Sequence, residues 1–379
     1  MVTKDELLDR VWPGVVVEEN NLQVQVSTLR KILGAHAVAT IPGRGYRFTL
    51  GAEAQEAEAA PSTANHNLPA ALNSFIGRER EMRSLGAMLG ASRLTTLTSV
   101  GGTGKTRLAL EVAREVLPLY PDGVWLAELA PLADAARVPQ VVAFVLGVKE
   151  EAGRPAVEAL ARYARDRRML LVLDNCEHLV HACAELARQL LQSAAGLTIL
   201  ASSREPLHVA GEAQFPVAPL AVPDARRAAS LDEIAACEAV RLFVERATAV
   251  QPAFGLTAQN APVVAQICRR LDGIPLAIEL AAARVRSLAI DDIGARLDDC
   301  FRLLTEGDKT ALPRQQTLRA SIDWSHALLS APERVLLRRL AVFSGGCTLE
   351  AAEAIGAGGE VHADDVVDLL AHLDRKSVV

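Results

Sequence analysis

The sequence lacks any long uninterrupted apolar segment. Half of its 379 residues are hydrophobic, yet no uncharged stretch approaches the roughly 20 residues that cross a bilayer. Its beginning, Met-Val-Thr-Lys-Asp-Glu, also lacks the apolar region that follows the basic start of a secretory signal peptide. Because of these absences we expect a soluble protein of the cytoplasm that has no membrane partner.

The cysteines lack the spacing of a zinc site. Six of them are scattered along the chain, and none forms a C-x-x-C pair. One local group, Cys176, His178, His181 and Cys183, has a spacing that distributes its side chains around a helix and does not bring them to one metal ion. We therefore interpret the cysteines as reduced, small core side chains.

A strong positive charge is also missing. The formal net charge is -6, which argues against a chain that coats nucleic acid along its whole length but permits one local basic face. The chain has no internal repeat. Its length suits roughly two to four domains, each with its own core.

The most informative motif is glycine-rich and follows an apolar, β-branched run, Leu94 to Thr98. Glycine permits turns that are closed to residues with a Cβ atom, so successive backbone N–H groups can face a phosphate, and the helix that begins there adds its positive end. Lys105 would reach the β- and γ-phosphates, and the Thr106 hydroxyl would bind Mg²⁺. The predicted nucleotide-binding residues of this loop are Ser99, Val100, Gly101, Gly102, Thr103, Gly104, Lys105, Thr106 and Arg107.

One position of this loop departs from the G-x-x-x-x-G-K-[ST] pattern, because Ser99 stands where the first glycine is expected. The alternative interpretation is a glycine-rich turn with an incidental lysine. The strand pattern before the loop and the helical pattern after it (Leu108, Val112, Val116) favour the phosphate-binding loop.

A carboxylate suited to the metal ends the apolar run Met-Leu-Leu-Val-Leu. This residue, Asp174, stands where phosphate-binding loops need an acidic group at the tip of a neighbouring strand to hold Mg²⁺. Its alternative role is an N-cap for the next helix. With Lys105 and Thr106 it completes the predicted catalytic set, in which Thr106 and Asp174 are the metal ligands.

The residues around Asp174 predict slow hydrolysis. Asn175 follows it in place of a second carboxylate, and Glu177 could replace that group only if the turn aims it inward. Arg204, at the end of the apolar run that starts at Leu197, is placed to sense a γ-phosphate. A solvated surface arginine is the alternative for Arg204.

The order of apolar runs and helical patterns predicts the fold class. Between residues 70 and 223 they alternate, as in an α/β P-loop NTPase with a parallel sheet flanked by helices. From residue 224 onward helical patterns take over, with Pro275 in the first turn of one helix and a capping box from Ser330 to Glu333. Residues 51–69 are rich in Ala, Glu, Pro and Asn and predict a linker. The strand candidates are Leu94–Thr98, Gly123–Leu129, Met169–Leu173 and Leu197–Ser202.

Five motifs, in this order, resemble those of the NB-ARC-like signal-transduction ATPases (STAND class) of bacterial transcriptional regulators: FIGRERE, SVGGTGKTRLAL, LLVLDNCEHL, ILASSREPL and CRRLDGIPLAIELAAAR. The resemblance implies a P-loop nucleotide-binding domain at 70–223, a helical lid at 224–305 and a truncated winged-helix domain at 306–379. It also implies ATP or ADP with Mg²⁺ as cofactors, and it puts Gly77, Arg78 and Pro275 beside the adenine and ribose.

Residues 1–50 resemble the carboxyl-terminal half of an OmpR/PhoB-type winged helix-turn-helix. In that family Thr3 to Leu8 would open the positioning helix, Asn21 to Leu33 would be the recognition helix, and Ile41 to Phe48 would be the wing. The alternative is an amphipathic helix with a solvated polar face. The residues expected to meet double-stranded DNA are Gln23, Ser27, Arg30, Lys31, Arg44, Tyr46 and Arg47.

Together these resemblances imply a transcriptional regulator that an ATP/ADP switch controls and that binds DNA through its winged helix, with nucleotide-dependent self-association as the route of transmission. As an enzyme we expect at most a slow ATPase. Both terminal modules look incomplete beside the family, so we expect compromised DNA binding. The alternative functions are an ATPase whose turnover is the output and a signalling scaffold without effective DNA binding.

Overall fold

The computed structural model divides the chain into two compact units, Met1–Thr63 and Ala64–Val379. The residues that it describes are 2–3, 38–41, 45–48, 65–71, 73–149, 153–224, 230–297, 326, 329–343, 346–359 and 361–375.

The first unit contains a small antiparallel sheet. Its strands are β1 (Val2–Thr3), β2 (Val38–Ile41) and β3 (Gly45–Phe48), and β3 lies between the other two. The pairing of Ile41 with Gly45 forms the hairpin that we expected as the wing. Thr3 lies in β1, where it pairs with Gly45 of β3. The prediction that a helix opens at Thr3 is therefore wrong at that residue. Lys4 to Leu8 and the predicted recognition helix lie outside the described residues.

The second unit contains a parallel sheet and the helices that cover it. Its strands are β4 (Leu94–Thr98), β5 (Val124–Glu128), β6 (Met169–Asp174), β7 (Leu197–Ser203) and β8 (Glu212–Pro216). Its helices in the described residues are α1 (Glu79–Ala91), α2 (Lys105–Glu115), α3 (Val138–Val145), α4 (Ala156–Ala164), α5 (Val180–Ser193), α6 (Leu231–Ala236), α7 (Glu238–Val250), α8 (Ala261–Arg270), α9 (Pro275–Ala283), α10 (Ile290–Arg296), α11 (Ala331–Leu340), α12 (Leu349–Gly356) and α13 (Val366–Arg375).

The sheet has the order β5-β6-β7-β4-β8, and every pairing in it is parallel. Continuous apolar runs form its centre because both faces are covered. Leu171 and Leu173 pack into the cluster that includes α3, α4 and α5, whereas Leu170 and Val172 pack against α1 and α2. The sheet with helices on both faces confirms the predicted α/β fold class, and β4 to β7 match the four predicted strands within one residue at each end.

Strand β8 was not predicted. It pairs with β4 at the edge of the sheet, where Leu94 is opposite Glu212. Its sequence, Glu-Ala-Gln-Phe-Pro, contains one large apolar side chain and ends in proline, and of its five residues Phe215 alone is buried. An edge strand needs no continuous apolar run, so this segment has no strand signal of its own.

The end of the predicted linker is also part of the fold. His66 forms a parallel bridge with Val124, and the Asn67 side chain bonds both backbone groups of Leu126, accepting from its N–H at 2.6 Å and donating to its carbonyl at 2.9 Å. Leu68 is buried in the core between the sheet and α1 and α2. The linker prediction is therefore wrong for 65–69, because the Asn67 side chain bonds the backbone of β5 as a neighbouring strand would.

Helices after the sheet form two further cores. Helices α6 to α10 enclose Phe243, Val264 and Ile278, and α11 to α13 enclose Leu336 and Val366. The capping box predicted before α11 is present, with the Ser330 hydroxyl accepting from the backbone N–H of Glu333. Among the cysteines, Cys347 is exposed, so the core interpretation is wrong for that residue.

The residues that the structure describes include no helix with both the length and the apolar character needed to cross a membrane.

We predict that Gly123→Ala destabilises the second unit by about 1–3 kcal/mol, the cost of a side chain in the left-handed region. Gly123 has φ 103°, and an added Cβ would lie 2.3 Å from the carbonyl oxygen of Asn65. Chemical unfolding measures the change. Gly86→Ala is the control, because nothing lies within 4 Å of its added Cβ and alanine in helix α1 should add about 0.4–1 kcal/mol of stability. Equal destabilisation of both variants would contradict the requirement for glycine at position 123.

Candidate nucleotide site

The glycine-rich loop joins β4 to α2 and has the backbone shape that its sequence predicts. Gly102 and Gly104 adopt φ angles of 84° and 91°, which residues with a side chain rarely adopt. A Cβ added at Gly104 would meet no atom within 4 Å. Open space therefore lies over the loop at the N-terminus of α2, where backbone N–H groups can bind an anion.

Ser99 is compatible with this loop. Its φ lies outside the left-handed region, so the position does not require glycine. The Ser99 hydroxyl is hydrogen-bonded to the Thr103 hydroxyl, and Thr103 in turn donates to the carbonyl of Val100 at 3.1 Å. These bonds close the loop across its base, and the departure from the pattern does not disturb it.

The Lys105 ammonium lies along the loop. It donates to the carbonyl of Ser99 at 2.7 Å and to that of Val100 at 3.0 Å. These hydrogen bonds hold the positive charge against the backbone of the loop. The charge is thus available to a phosphate bound there.

Asp174 lies at the carboxyl end of β6 and is buried. Its Oδ1 accepts from the Thr106 hydroxyl at 2.7 Å and from the Ser202 hydroxyl at 2.5 Å. Because β7 lies between β4 and β6, this one oxygen joins the loop helix to two central strands. The two predicted metal ligands, Thr106 and Asp174, are thus brought together.

Sequence reasoning missed Ser202. It is buried in β7, and its hydroxyl also accepts from the backbone N–H of Asn175 at 2.9 Å. The available signal was a hydroxyl near the end of a buried strand whose register places it beside Asp174. In that register Leu173 pairs with Ala201, so the next residues of the two strands are neighbours.

The chain turns sharply after Asp174. Asn175 has φ 72°, and a short 3-10 turn, Cys176–His178, follows it. This turn aims Glu177 inward, where its Oε1 lies 3.6 Å from Nε of Arg204. The two side chains are 7% and 5% exposed. Arg204 is therefore a buried group beside the end of β7, and the solvated-surface alternative is wrong.

Arg78 joins the loop to the segment that follows β8. Its guanidinium is buried and donates to the carbonyls of Thr103 at 2.7 Å and Ala218 at 3.0 Å. Burial lowers the pKa of this guanidinium below its usual value, and the Glu81 and Glu238 carboxylates oppose that shift. Its Nη1 is buried with no hydrogen-bond partner in the described part of the chain, which leaves one donor beside the loop for a ligand.

Glu238 is a second residue that sequence reasoning missed. It begins α7, and its carboxylate accepts from the backbone N–H of Arg78 at 2.8 Å and of Ala221 at 3.3 Å. A Cβ at Gly77 would lie 2.7 Å from its carboxyl carbon. Packing against Glu238 thus explains the glycine at position 77.

Helix α9 begins against the loop. Pro275 is its first residue, and the next residue, Leu276, donates its N–H to the Gly102 carbonyl at 3.2 Å. A Cβ at Gly102 would lie 3.1 Å from Cβ of Leu276. Pro275 therefore lies beside the phosphate-loop candidate.

Two other predicted binding residues have different surroundings. The Arg107 guanidinium donates to the carbonyl of Ser74 at 2.6 Å, so it is directed toward the segment before Gly77. Tyr46 is 7% exposed, so its ring has little surface to offer DNA, and Arg47 lies in β3. The other predicted DNA-binding residues lie outside the described part of the chain: Gln23, Ser27, Arg30, Lys31 and Arg44.

Comparison with known proteins gives one family match and one fold match. Residues 1–48 match the family described as "Transcriptional regulatory protein, C terminal". The fold is similar to that of a Walker-type ATPase of Pyrococcus abyssi, with a TM-score of 0.51 at 14% identity. The match covers 80% of this chain and 90% of the chain of that ATPase.

Two mycobacterial relatives cover most of the chain. It is 48% identical over 293 residues to the putative HTH-type transcriptional regulator Rv0890c of Mycobacterium tuberculosis, an alignment that covers 77% of this chain and 32% of the relative. It is 42% identical over 298 residues to the uncharacterized protein Rv0894 of Mycobacterium tuberculosis, which covers 79% of this chain and 72% of the relative. The chain thus spans about a third of the length of the HTH-type regulator that it matches.

We predict that Ser202→Ala lowers the free energy of unfolding by about 1–3 kcal/mol, because it leaves Asp174 and the Asn175 N–H each short of one hydrogen bond. Chemical denaturation measures this change. Ser193→Ala is the matched control: its hydroxyl bonds the carbonyl of Gln189 within α5, and the destabilisation should stay within about 0.5 kcal/mol. If the two variants are destabilised equally, Ser202 has no special part in holding Asp174.

Proposed function

The chain belongs to the family of the mycobacterial protein Rv0894, and from that premise we propose that it is the nucleotide-controlled switch of a transcriptional regulator. The observation that carries the proposal is the hydrogen bond between the loop and the lid. Gly102 accepts this bond from Leu276 at the start of α9, so a ligand on the loop and the position of the lid depend on the same residues.

The donor set supports a nucleotide bound with Mg²⁺. The loop offers backbone N–H groups, an ammonium from Lys105, and open space over Gly104. Thr106 and Asp174 offer hard oxygen ligands, which Mg²⁺ prefers. The described residues contain no group of three or more His, Cys, Asp and Glu side chains that could hold a metal ion alone, so phosphate oxygens would complete the coordination of Mg²⁺.

We assign the nucleotide as ATP or ADP and the subclass as NB-ARC-like STAND ATPases because of the five ordered motifs. In this proposal ADP keeps the lid closed, and exchange for ATP opens it. The two nucleotides act because they bind the closed and open states with unequal affinity; equal affinity would shift nothing.

The side chains near Asp174 support a slow ATPase. The residue after it is an asparagine, and the inward-facing Glu177 lies against Arg204. Lys105, Thr106 and Asp174 would act on the phosphates and the metal, while no second carboxylate adjoins Asp174. A turnover above about 1 per second, within the usual range of enzymes, would favour an ATPase whose turnover is the output.

The match of residues 1–48 supports double-stranded DNA as the partner of the switch. Gln23, Ser27, Arg30, Lys31 and Arg44 remain the predicted DNA-binding residues, with phosphate neutralisation setting the affinity. Nucleotide-dependent self-association is our proposed route of transmission, because a linker of the kind that the sequence predicts would transmit little by rigid motion.

We predict that Lys105→Ala weakens the binding of ADP and of ATP by about ten-fold or more, because it removes a charge-assisted hydrogen bond of about 1.5–3 kcal/mol. Isothermal calorimetry with the full chain measures both affinities. Lys149→Ala, which changes an exposed lysine, is the matched control and should leave both affinities unchanged. Unchanged binding in Lys105→Ala would count against the assignment of Lys105.

We also predict weak, salt-sensitive binding of duplex DNA by the full chain, in keeping with the compromised binding expected from the sequence. In the double variant Arg30→Ala with Lys31→Ala, the slope of log affinity against log salt should fall by about 1 for each phosphate that these side chains neutralise in the parent. Fluorescence anisotropy with a random-sequence duplex gives the slope. Lys149→Ala should retain the parent slope. If the parent chain binds no duplex at any salt concentration, the scaffold without effective DNA binding replaces this part of the proposal.

A further inference from the structure

Glu177 and Arg204 form a buried pair of opposite charges beside the site. Nε of Arg204 lies 3.6 Å from Oε1 of Glu177, and both side chains are almost fully buried. Charges removed from water need close partners, because the cost of desolvation is large. Their pairing is thus a significant part of what keeps each side chain in place.

The pairing of Glu177 is incomplete. Its Oε2 is buried and has no hydrogen-bond partner in the described part of the chain, and the distance of 3.6 Å to Arg204 exceeds that of a close charged hydrogen bond, about 2.7–2.9 Å. A carboxylate held this loosely is a modest competitor for a guanidinium. Phosphate, which arginine binds with two parallel hydrogen bonds, is a stronger one.

The backbone places this pair next to the metal ligand. Glu177 follows Asp174 by three residues, on a turn whose Asn175 N–H is bonded to the Ser202 hydroxyl at 2.9 Å. Arg204 follows Ser202 by two residues, just past the end of β7. The same serine that bonds Asp174 therefore also fixes the turn that carries Glu177. Both charges follow the carboxyl ends of parallel strands, and the loop begins at the carboxyl end of β4.

We propose that Glu177 is a positioning residue that pairs with Arg204 when the site holds a nucleoside diphosphate, and that the terminal phosphate of a nucleoside triphosphate competes with Glu177 for the Arg204 guanidinium. This inference rests on the proposed nucleotide-binding function. Glu177 then lowers the affinity for the triphosphate and leaves the affinity for the diphosphate unchanged. Glu177 thereby sets how strongly the site prefers the diphosphate to the triphosphate.

The test measures the affinities of the full chain for ADP and for the β,γ-imido analogue of ATP, both with Mg²⁺, by calorimetry. Glu177→Gln keeps the side-chain shape and removes the competing charge. We expect it to raise the ratio of analogue affinity to ADP affinity by about ten-fold, the scale of one charge-assisted hydrogen bond. In the background Arg204→Gln, the same change at Glu177 should leave the ratio unaltered.

Two further variants keep the test decisive. Glu185→Gln removes the exposed partner of Arg188, 2.5 Å away on α5, and should leave the ratio unchanged. If Glu177→Gln does not fold, as a thermal melt would show, Glu177→Asp shortens the side chain with its charge kept, and it should move the ratio in the same direction by about two-fold or more.

The outcomes separate this inference from the function on which it rests. Parallel changes in both affinities in Glu177→Gln, or a change in ratio that persists in the Arg204→Gln background, would overturn the role of Glu177 while nucleotide binding stands. A parent chain that binds neither nucleotide would overturn the proposed function, and this inference with it. A higher ratio that depends on Arg204 supports the proposal.

Discussion

The second unit is organised around one buried carboxylate oxygen. Oδ1 of Asp174 accepts from the Thr106 hydroxyl and from the Ser202 hydroxyl, so it joins the first turn of α2 to the ends of β6 and β7. A buried carboxylate without such donors would carry a large desolvation cost. The hydrogen bonds that offset this cost also fix the loop, the predicted metal ligand and the turn after β6 in one geometry.

Much of the fold could be predicted from the sequence because its central strands are buried on both faces. Such strands are continuous apolar runs, as at Met169–Leu173, and their signal is independent of their neighbours. Residues 65–69 and β8 could not be predicted in this way. Their pairing depends on strands β5 and β4 of the folded sheet, which are distant in sequence. Asn67 bonds the backbone of Leu126, and a polar side chain in a predicted linker carries no local sign of that partner.

The geometry of the candidate site could be predicted where it depends on a short motif and could not where it depends on tertiary contacts. Lys105 and Thr106 are fixed by the loop that carries them, and Asp174 by the end of its strand. Ser202 could not be singled out, since a serine in a buried run looks the same whether or not a carboxylate lies beside it. The direction of Glu177 follows from the left-handed backbone of Asn175, which sequence patterns do not encode.

The hydrogen bonds between the loop and helices α7 and α9 limit where the proposed discrimination between nucleotides can arise. Gly102 accepts from the backbone of α9, and Arg78 joins Thr103 to Glu238 at the start of α7, so a ligand on the loop would lie against residues that hold both helices. If these helices act as the proposed lid, coupling requires unequal affinity for its two positions. A diphosphate and a triphosphate differ in the terminal phosphate alone, so the contacts of the loop with the β-phosphate would be the same for both. We therefore attribute the proposed discrimination to the groups that would meet the terminal phosphate, which are Lys105 and the side chains at the ends of β6 and β7.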